Sequence, residues 1–304
     1  MPDRVRNDPV IKRPTRRIDH LVLPVVSLDD ARARYTALGF TVSADGLHPF
    51  GTENANIYLP DGTFLEPLAI ASRETCWTEA TRGNPFVRND QTYRFRVSGE
   101  GFSHTVATTE DAEDDYHRFG DLGFGDGPVV SFVRMAERPN GEHEQVGFKL
   151  AFAADPRAPD ARFFTCETEA APSLDGGLTR HPNGAVRLKR VVLSEPNPTD
   201  FQYFLQEFLQ RRDVAAHSFG MDVEATNATV EVLTPEGLAA HYGLHVDPKA
   251  RGMLHQAYVV GVEDIEATRA WLTDHEIEHT ERLGRLLVAP ALGQGTTVGF
   301  EAAA

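Results

Sequence analysis

Ile18-Asp19-His20-Leu21-Val22-Leu23-Pro24 is a short apolar run that carries one histidine. Residues 18–40, laid without a gap over residues 102–124, place His20 on His104, Val22 on Val106 and Asp30 on Asp114. The same register puts Leu38-Gly39-Phe40 on Leu122-Gly123-Phe124. The chain repeats itself, and repetition at this scale decides architecture before any single element does.

Working outward, Ile18 to Val25 reads as a strand, and Leu28, Ala31, Tyr35 and Leu38 recur at helical spacing up to Gly39, a helix stop. Phe40 to Ser43, Ala55 to Leu59 and Thr63 to Ile70 read as strands, with Pro60-Asp61-Gly62 as a tight turn. The unit is β-α-β-β-β. A second copy has a strand over Phe102 to Thr108 and a helix over Asp111 to Leu122. Its later strands are Val129 to Met135, Gln145 to Ala151 and Arg162 to Thr168, with Pro139-Asn140-Gly141 turning the hairpin. The stretch Ala170 to Pro182, rich in Ala, Pro, Gly and Asp, is a linker. A third unit has the strand Ala185 to Leu193, the helix Asp200 to Gln210 and the strand Thr229 to Leu233. The fourth has His255 to Val262, the helix Glu266 to His275, and strands Arg285 to Ala289 and Thr297 to Ala302.

The 304 residues allow one large domain or two ordinary ones, and 41% apolar with 25% charged residues is a globular composition. No apolar run approaches the roughly 20 residues a bilayer needs, so no membrane partner is expected. Met1 to Arg17 is polar and lacks the apolar segment of a secretory signal, which reads as a disordered or draped tail. Two cysteines, Cys76 and Cys166, form no disulfide framework, and together with the missing signal they favour a reducing cytoplasm. A formal charge of −15 argues against nucleic acid. There is no nucleophile elbow, P-loop or dinucleotide fingerprint.

Four tandem βαβββ modules resemble the vicinal oxygen chelate superfamily of glyoxalase I, extradiol dioxygenases and bleomycin-resistance proteins. His48-Pro49-Phe50-Gly51-Thr52-Glu53-Asn54, Asp61-Gly62-Thr63-Phe64-Leu65-Glu66 and His181-Pro182-Asn183-Gly184 resemble its glyoxalase-like branch. The resemblance implies an α+β fold in which modules pair into two domains with cupped mixed β-sheets. The boundaries are then a tail at 1–17, an N-terminal domain at 18–171 (modules 18–71 and 100–169), a linker at 172–184 and a degenerate C-terminal domain at 185–304.

In that superfamily the first strand of a module offers a His and the last strand a Glu, and two modules aim these at one ion. The resemblance therefore implies His20, Glu66, His104 and Glu167 as ligands of a divalent first-row metal ion (Zn, Ni, Co, Mn or Fe), which suits imidazole and carboxylate donors. Glu167 is the candidate base and Glu66 the alternative. Glu167 competes with Glu169 in Cys166-Glu167-Thr168-Glu169, where the alignment can slip. His48 and Asn54 are substrate-binding candidates at the cavity mouth. A lone histidine is more often a hydrogen-bonded core residue; the repeated register and a carboxylate in the last strand of each module favour ligation here. Cys166 reads as a small buried hydrophobe.

In the second pair Arg190 falls at the His20 position and Gln256 at its counterpart, while Glu301 matches Glu66. An Arg there opposes a cation, so this pair is read as scaffold, homodimer surface or lid. The implied function is a metal-dependent glyoxalase-like lyase or isomerase acting on a small substrate with vicinal oxygens through a metal-stabilised enediolate. Two alternatives stand. If Glu167 points away, His20, His104 and Glu66 make the triad of an Fe(II) ring-cleaving dioxygenase. A non-enzymatic binding or resistance protein would lack these ligands.

Overall fold

A computed structural model describes residues 13–137, 143–169 and 176–304. The turn expected at Pro139-Asn140-Gly141, residues 1–12 of the polar tail and the first part of the linker lie outside them.

The first half contains β1 (Ile18–Pro24), α1 (Leu28–Ala37), β2 (Gly46–Leu47), β3 (Thr52–Asn54), β4 (Ile57–Tyr58) and β5 (Phe64–Ile70). It continues with α2 (Arg73–Thr81), α3 (Pro85–Arg96), β6 (His104–Thr108), α4 (Ala112–Asp121), β7 (Val130–Glu137), β8 (His143–Ala153) and β9 (Arg162–Thr168). The second half has β10 (Ala185–Ser194), a 3-10 turn at Pro198–Phe201, α5 (Gln202–Leu209), β11 (Ala215–His217), β12 (Gly220–Glu224), β13 (Thr229–Leu233) and α6 (Pro235–Tyr242). It ends with β14 (Leu254–Val262), α7 (Ile265–Asp274), β15 (Thr280–Arg282), β16 (Arg285–Val288) and β17 (Thr297–Ala302).

The strands form two mixed sheets. One runs β2-β3-β5-β1-β6-β9-β8-β7 with β4 beside β5; the other runs β11-β12-β13-β10-β14-β17-β16-β15. The modules meet where their first strands pair antiparallel, β1 with β6 and β10 with β14. This is the α+β, paired-module fold that the repeat implies. Strand Phe40 to Ser43 does not form; the edge there is β2, and helices α2 and α3, which the repeat does not contain, join the first two modules.

Strand parity divides the side chains beyond an irregularity between Ile18 and His20. Leu21 and Leu23, with Ile18 before that irregularity, enter a core shared by both sheets and by α1, α4 and α5, whereas Val22 belongs to a separate cluster on the opposite face with Phe86, Val106 and Phe164. That opposite face carries His20. The α1 helix starts because the Ser27 side chain accepts from Asp30 N–H, and it buries Leu28, Ala31 and Tyr35. The halves are also joined by polar contacts: Tyr35 and Tyr258 hydroxyls at 3.0 Å, and Asn183 Nδ2 donating to Leu38 O at 2.9 Å. The described part of the tail is docked rather than loose, with Arg16 buried in an ion pair with Asp115.

At this junction His255 lies fully buried, stacked on Phe102 at 4.2 Å, with Nε2 2.9 Å from Thr105 Oγ1. Burial pushes its pKa down to about 3. The unfolded imidazole, near 6.5, takes its proton first, so stability is full above about pH 6.5 and falls as pH drops towards 3. We expect urea titrations of His255→Leu to lack about 1.4 kcal/mol per pH unit of the wild-type slope between pH 6 and 4. An unchanged slope would show that the imidazole is protonated in the fold.

Candidate active site

On the side of the first sheet that faces away from the shared core lies a cavity of about 420 Å³, within the usual range for small-molecule sites. His20, His48, Asn54 and Glu66 meet there.

Register brings the first pair together. In the parallel β1–β5 ladder Val22 lies opposite Glu66, so His20 and Glu66, each on the cavity face, are diagonal neighbours. His20 Nε2 is 3.5 Å from Glu66 Oε2. His48 comes from the turn between β2 and β3, closed by His48 N–H to Thr52 O at 2.8 Å and Gly51 N–H to His48 O at 3.2 Å. Gly51 sits at φ +93 with Ser72 O only 2.8 Å from where a Cβ would be, so the turn requires glycine. It aims His48 inward, against Phe50 and Phe132, with Nε2 3.7 Å from Glu66 Oε1.

The protonation of both rings follows from their partners. His20 Nδ1 lies 2.7 Å from Asp19 Oδ2, which can only accept, so Nδ1 carries a hydrogen and Nε2 is the ring nitrogen turned to Glu66. Asn54 Nδ2 donates to Glu66 Oε1 at 2.6 Å and faces His48 Nε2 at 3.4 Å, so that His48 nitrogen is a lone pair and Nδ1–H is directed to Thr52 Oγ1 at 2.9 Å. Burial holds His48 neutral, its pKa pushed down to about 4. The Nε2 atoms of two imidazoles and a buried carboxylate thus face one another. Imidazoles tied at Nδ1 with Nε2 exposed to a carboxylate are arranged as metal-ligating histidines are. Among the described residues, no three or more His, Cys, Asp or Glu side chains are gathered as a ready-made ion site. Asn54 holds one oxygen of Glu66 instead.

Two of the four ligand candidates stand elsewhere. His104 lies behind Phe86 and Phe164, its ring parallel to Phe86 at 6.4 Å and edge-on to Phe164 at 5.6 Å. Its Nδ1 is 2.7 Å from Ser103 Oγ, its buried Nε2 has no hydrogen-bond partner among the described residues, and burial keeps its pKa well below the usual value. Glu167 is on the other face of β9. Phe164, Cys166 and Thr168 line the cavity, while Glu167 accepts from Ala112 N–H at 2.9 Å and pairs with Lys149 Nζ at 3.1 Å. The register explains this: Val106 pairs with Phe164 as Val22 pairs with Glu66, so the fourth ligand position holds a phenylalanine. Glu169 does not replace it; it bonds the same lysine at 3.3 Å.

The second pair follows the same rule. Val192 pairs with Glu231, making Glu231 the counterpart of Glu66, and Arg190 stands for His20 with its Nη1 2.5 Å from Glu231 Oε1. Ala257, not Gln256, lies opposite Val192, because the ladder slips between Val192 and Leu193. Gly299 rather than Glu301 then occupies the last position, and Glu301 pairs with Arg190 and Arg285.

Sequence reading missed Asp19 and Thr52, which orient the two imidazoles, and Arg134 in the cavity wall. Alternation along Phe132 and Arg134 in β7 was the available signal for the last.

A model of the glyoxalase-like domain family matches residues 18–209, which covers both modules of this site. The chain belongs to the glyoxalase-like family. No curated protein matches it in sequence. Among solved structures it is similar to a hypothetical protein from Staphylococcus aureus, at 13% identity and TM-score 0.63, covering 94% of this chain and 98% of that one. It is also similar to a mutant 4-hydroxymandelate synthase from Streptomyces coelicolor (13%, 0.60, 95% and 92%) and a Mn(II)-bound glyoxalase from Novosphingobium aromaticivorans (10%, 0.54, 95% and 83%). At these identities the likeness is one of fold. Among the described residues of this glyoxalase-like chain, no helix is long and apolar enough to cross a membrane.

Because Glu167 holds the first turn of α4, Glu167→Ala should cost about 1 kcal/mol in chemical denaturation. It should leave the circular dichroism of the cavity aromatics unchanged. A silent effect on stability with a changed aromatic signal would place Glu167 in the cavity instead.

Proposed function

We propose that this protein is a metal-dependent glyoxalase-like lyase or isomerase acting on a small substrate with vicinal oxygens, with its chemistry held within the first module. The observation that carries the reading is the convergence of three electron-rich groups, His20 Nε2, His48 Nε2 and the Glu66 carboxylate, at 3.5 and 3.7 Å in one buried pocket. Such a set is favourable only with a proton or cation among its members. In donor type the three fit a divalent first-row ion (Zn, Ni, Co, Mn or Fe). A manganese ion bound by a glyoxalase of the same fold supports this. When bound, the ion supplies Lewis acidity to adjacent substrate oxygens and stabilises an enediolate.

The chain's own residues do the rest. Glu66 Oε2, the carboxylate oxygen not held by Asn54, is the base that takes a proton from carbon next to a carbonyl. Asp19 holds His20 through Nδ1 with Nε2 turned towards Glu66, and Glu66 Oε2 itself carries the proton and returns it to the neighbouring carbon. Asn54 keeps Glu66 in place, and the phenylalanines around the pocket exclude water. Glu167 and His104 take no part.

Metal analysis of purified wild type should show a stoichiometric ion. His20→Ala and His48→Ala should each weaken its binding more than about tenfold, with His104→Ala and Glu167→Ala within about threefold. Loss of the ion in His104→Ala to the same degree as in His20→Ala would refute the one-module site, and wild type without metal would leave a binding protein. Methylglyoxal-thiol adducts are the first substrates to assay.

One observation favours a second reading. With Glu167 turned away, two histidines and one carboxylate remain, the donor count of Fe(II) oxygenases. Catechol-dependent oxygen uptake by Fe(II)-loaded protein would select it over the lyase.

A further inference from the structure

The pocket has a cationic wall that the chemistry above does not use. In β7 both Phe132 and Arg134 face the cavity. The Arg134 guanidinium lies over the Phe148 ring at 5.2 Å, Phe148 stacks on Phe132 at 5.1 Å, and Phe132 meets His48 edge-on at 5.5 Å. Gly46 closes the other side: a Cβ there would lie 3.2 Å from Arg134 Nη1 and 2.6 Å from Asn54 Oδ1. The glycine therefore lets the guanidinium and the amide that holds Glu66 share one corner of the pocket.

Arg134 is the only Lys or Arg among the described residues that line the cavity. The lining carboxylates are already engaged, Asp19 by His20 and Glu66 by Asn54. No ion pair joins Arg134 to a carboxylate among the described residues. A guanidinium set over a ring and lining a pocket is suited to bind an oxyanion pair in bidentate fashion. Five phenylalanines, Phe64, Phe86, Phe132, Phe148 and Phe164, also line the cavity, which suits a flat apolar body.

We propose that Arg134 is a substrate-binding residue that receives a carboxylate, and that the substrate is a small aryl or bulky-alkyl carboxylic acid whose reacting oxygens lie towards Glu66. This deepens the reading of the pocket as a substrate site and names its substrate class. Gly46 is the residue that makes room for the arrangement.

Calorimetry with phenylacetate, its neutral isostere phenylacetamide, and acetate tests it, on protein as purified and again in EDTA so that an ion cannot be what holds the acid. Phenylacetate should bind at least about tenfold tighter than phenylacetamide and than acetate in both conditions. Arg134→Ala should abolish the acid-over-amide preference and leave phenylacetamide affinity within about twofold, which shows an intact pocket. No binding of phenylacetate, equal affinity for acid and amide, or a preference that survives in Arg134→Ala overturns the proposal. Glu66→Gln separates it from the catalytic reading: the acid preference persists there whether or not turnover depends on Glu66.

Discussion

The pairing of β1 between β5 and β6 is the constraint on which the site depends. A strand's side chains alternate, so one residue of slip would turn His20 away from the pocket and into the shared core. The parallel ladder to β5 places Glu66 diagonal to His20, and the antiparallel ladder to β6 places His104 opposite Val22. Burial of Leu21 and Leu23 on the far face locks this register, because shifting them would expose a core shared by both sheets. The fold thereby buries a carboxylate beside two imidazoles, a grouping that opposes folding unless hydrogen-bonded. Asp19, Thr52 and Asn54 supply those bonds.

The two halves show the same framework in two electrostatic states. In the first, the position that corresponds to Arg190 holds His20, beside Glu66. In the second, Arg190 supplies the cation within the chain, bonded to Glu231 and Glu301, while the Tyr242 hydroxyl donates to Glu231 at 2.6 Å. Those neighbouring carboxylates hold the Arg190 guanidinium charged, its pKa raised above the ordinary value. A partly buried cluster of this kind is self-satisfied: removing one partner would strand the other charge, and there is no remaining demand for an external ion.

Much of this was legible in the residues. The repeat of His20 at His104 gave away the modules, and β9, β13 and β17 run over the residues that alternation suggested. The side of β9 was not legible. Cys166-Glu167-Thr168-Glu169 offers carboxylates at odd positions, and only the Val106–Phe164 pairing reveals that even positions face the pocket. His48 was expected at the cavity mouth, yet it is buried and faces Glu66, because the backbone of a glycine turn, not a strand period, directs it. Helix α3, whose Phe86 screens His104, has no counterpart in the repeat and so could not be inferred from it. The one-residue slip at Val192 is likewise a property of a ladder, not of a gapless alignment.

The most direct test of a one-module site is anomalous diffraction at the manganese edge from crystals grown with Mn(II). The account predicts a single peak bounded by His20 Nε2, His48 Nε2 and the Glu66 carboxylate, with His104 still behind Phe86. A peak coordinated by His104, or by Glu167 after a turn of β9, would contradict it.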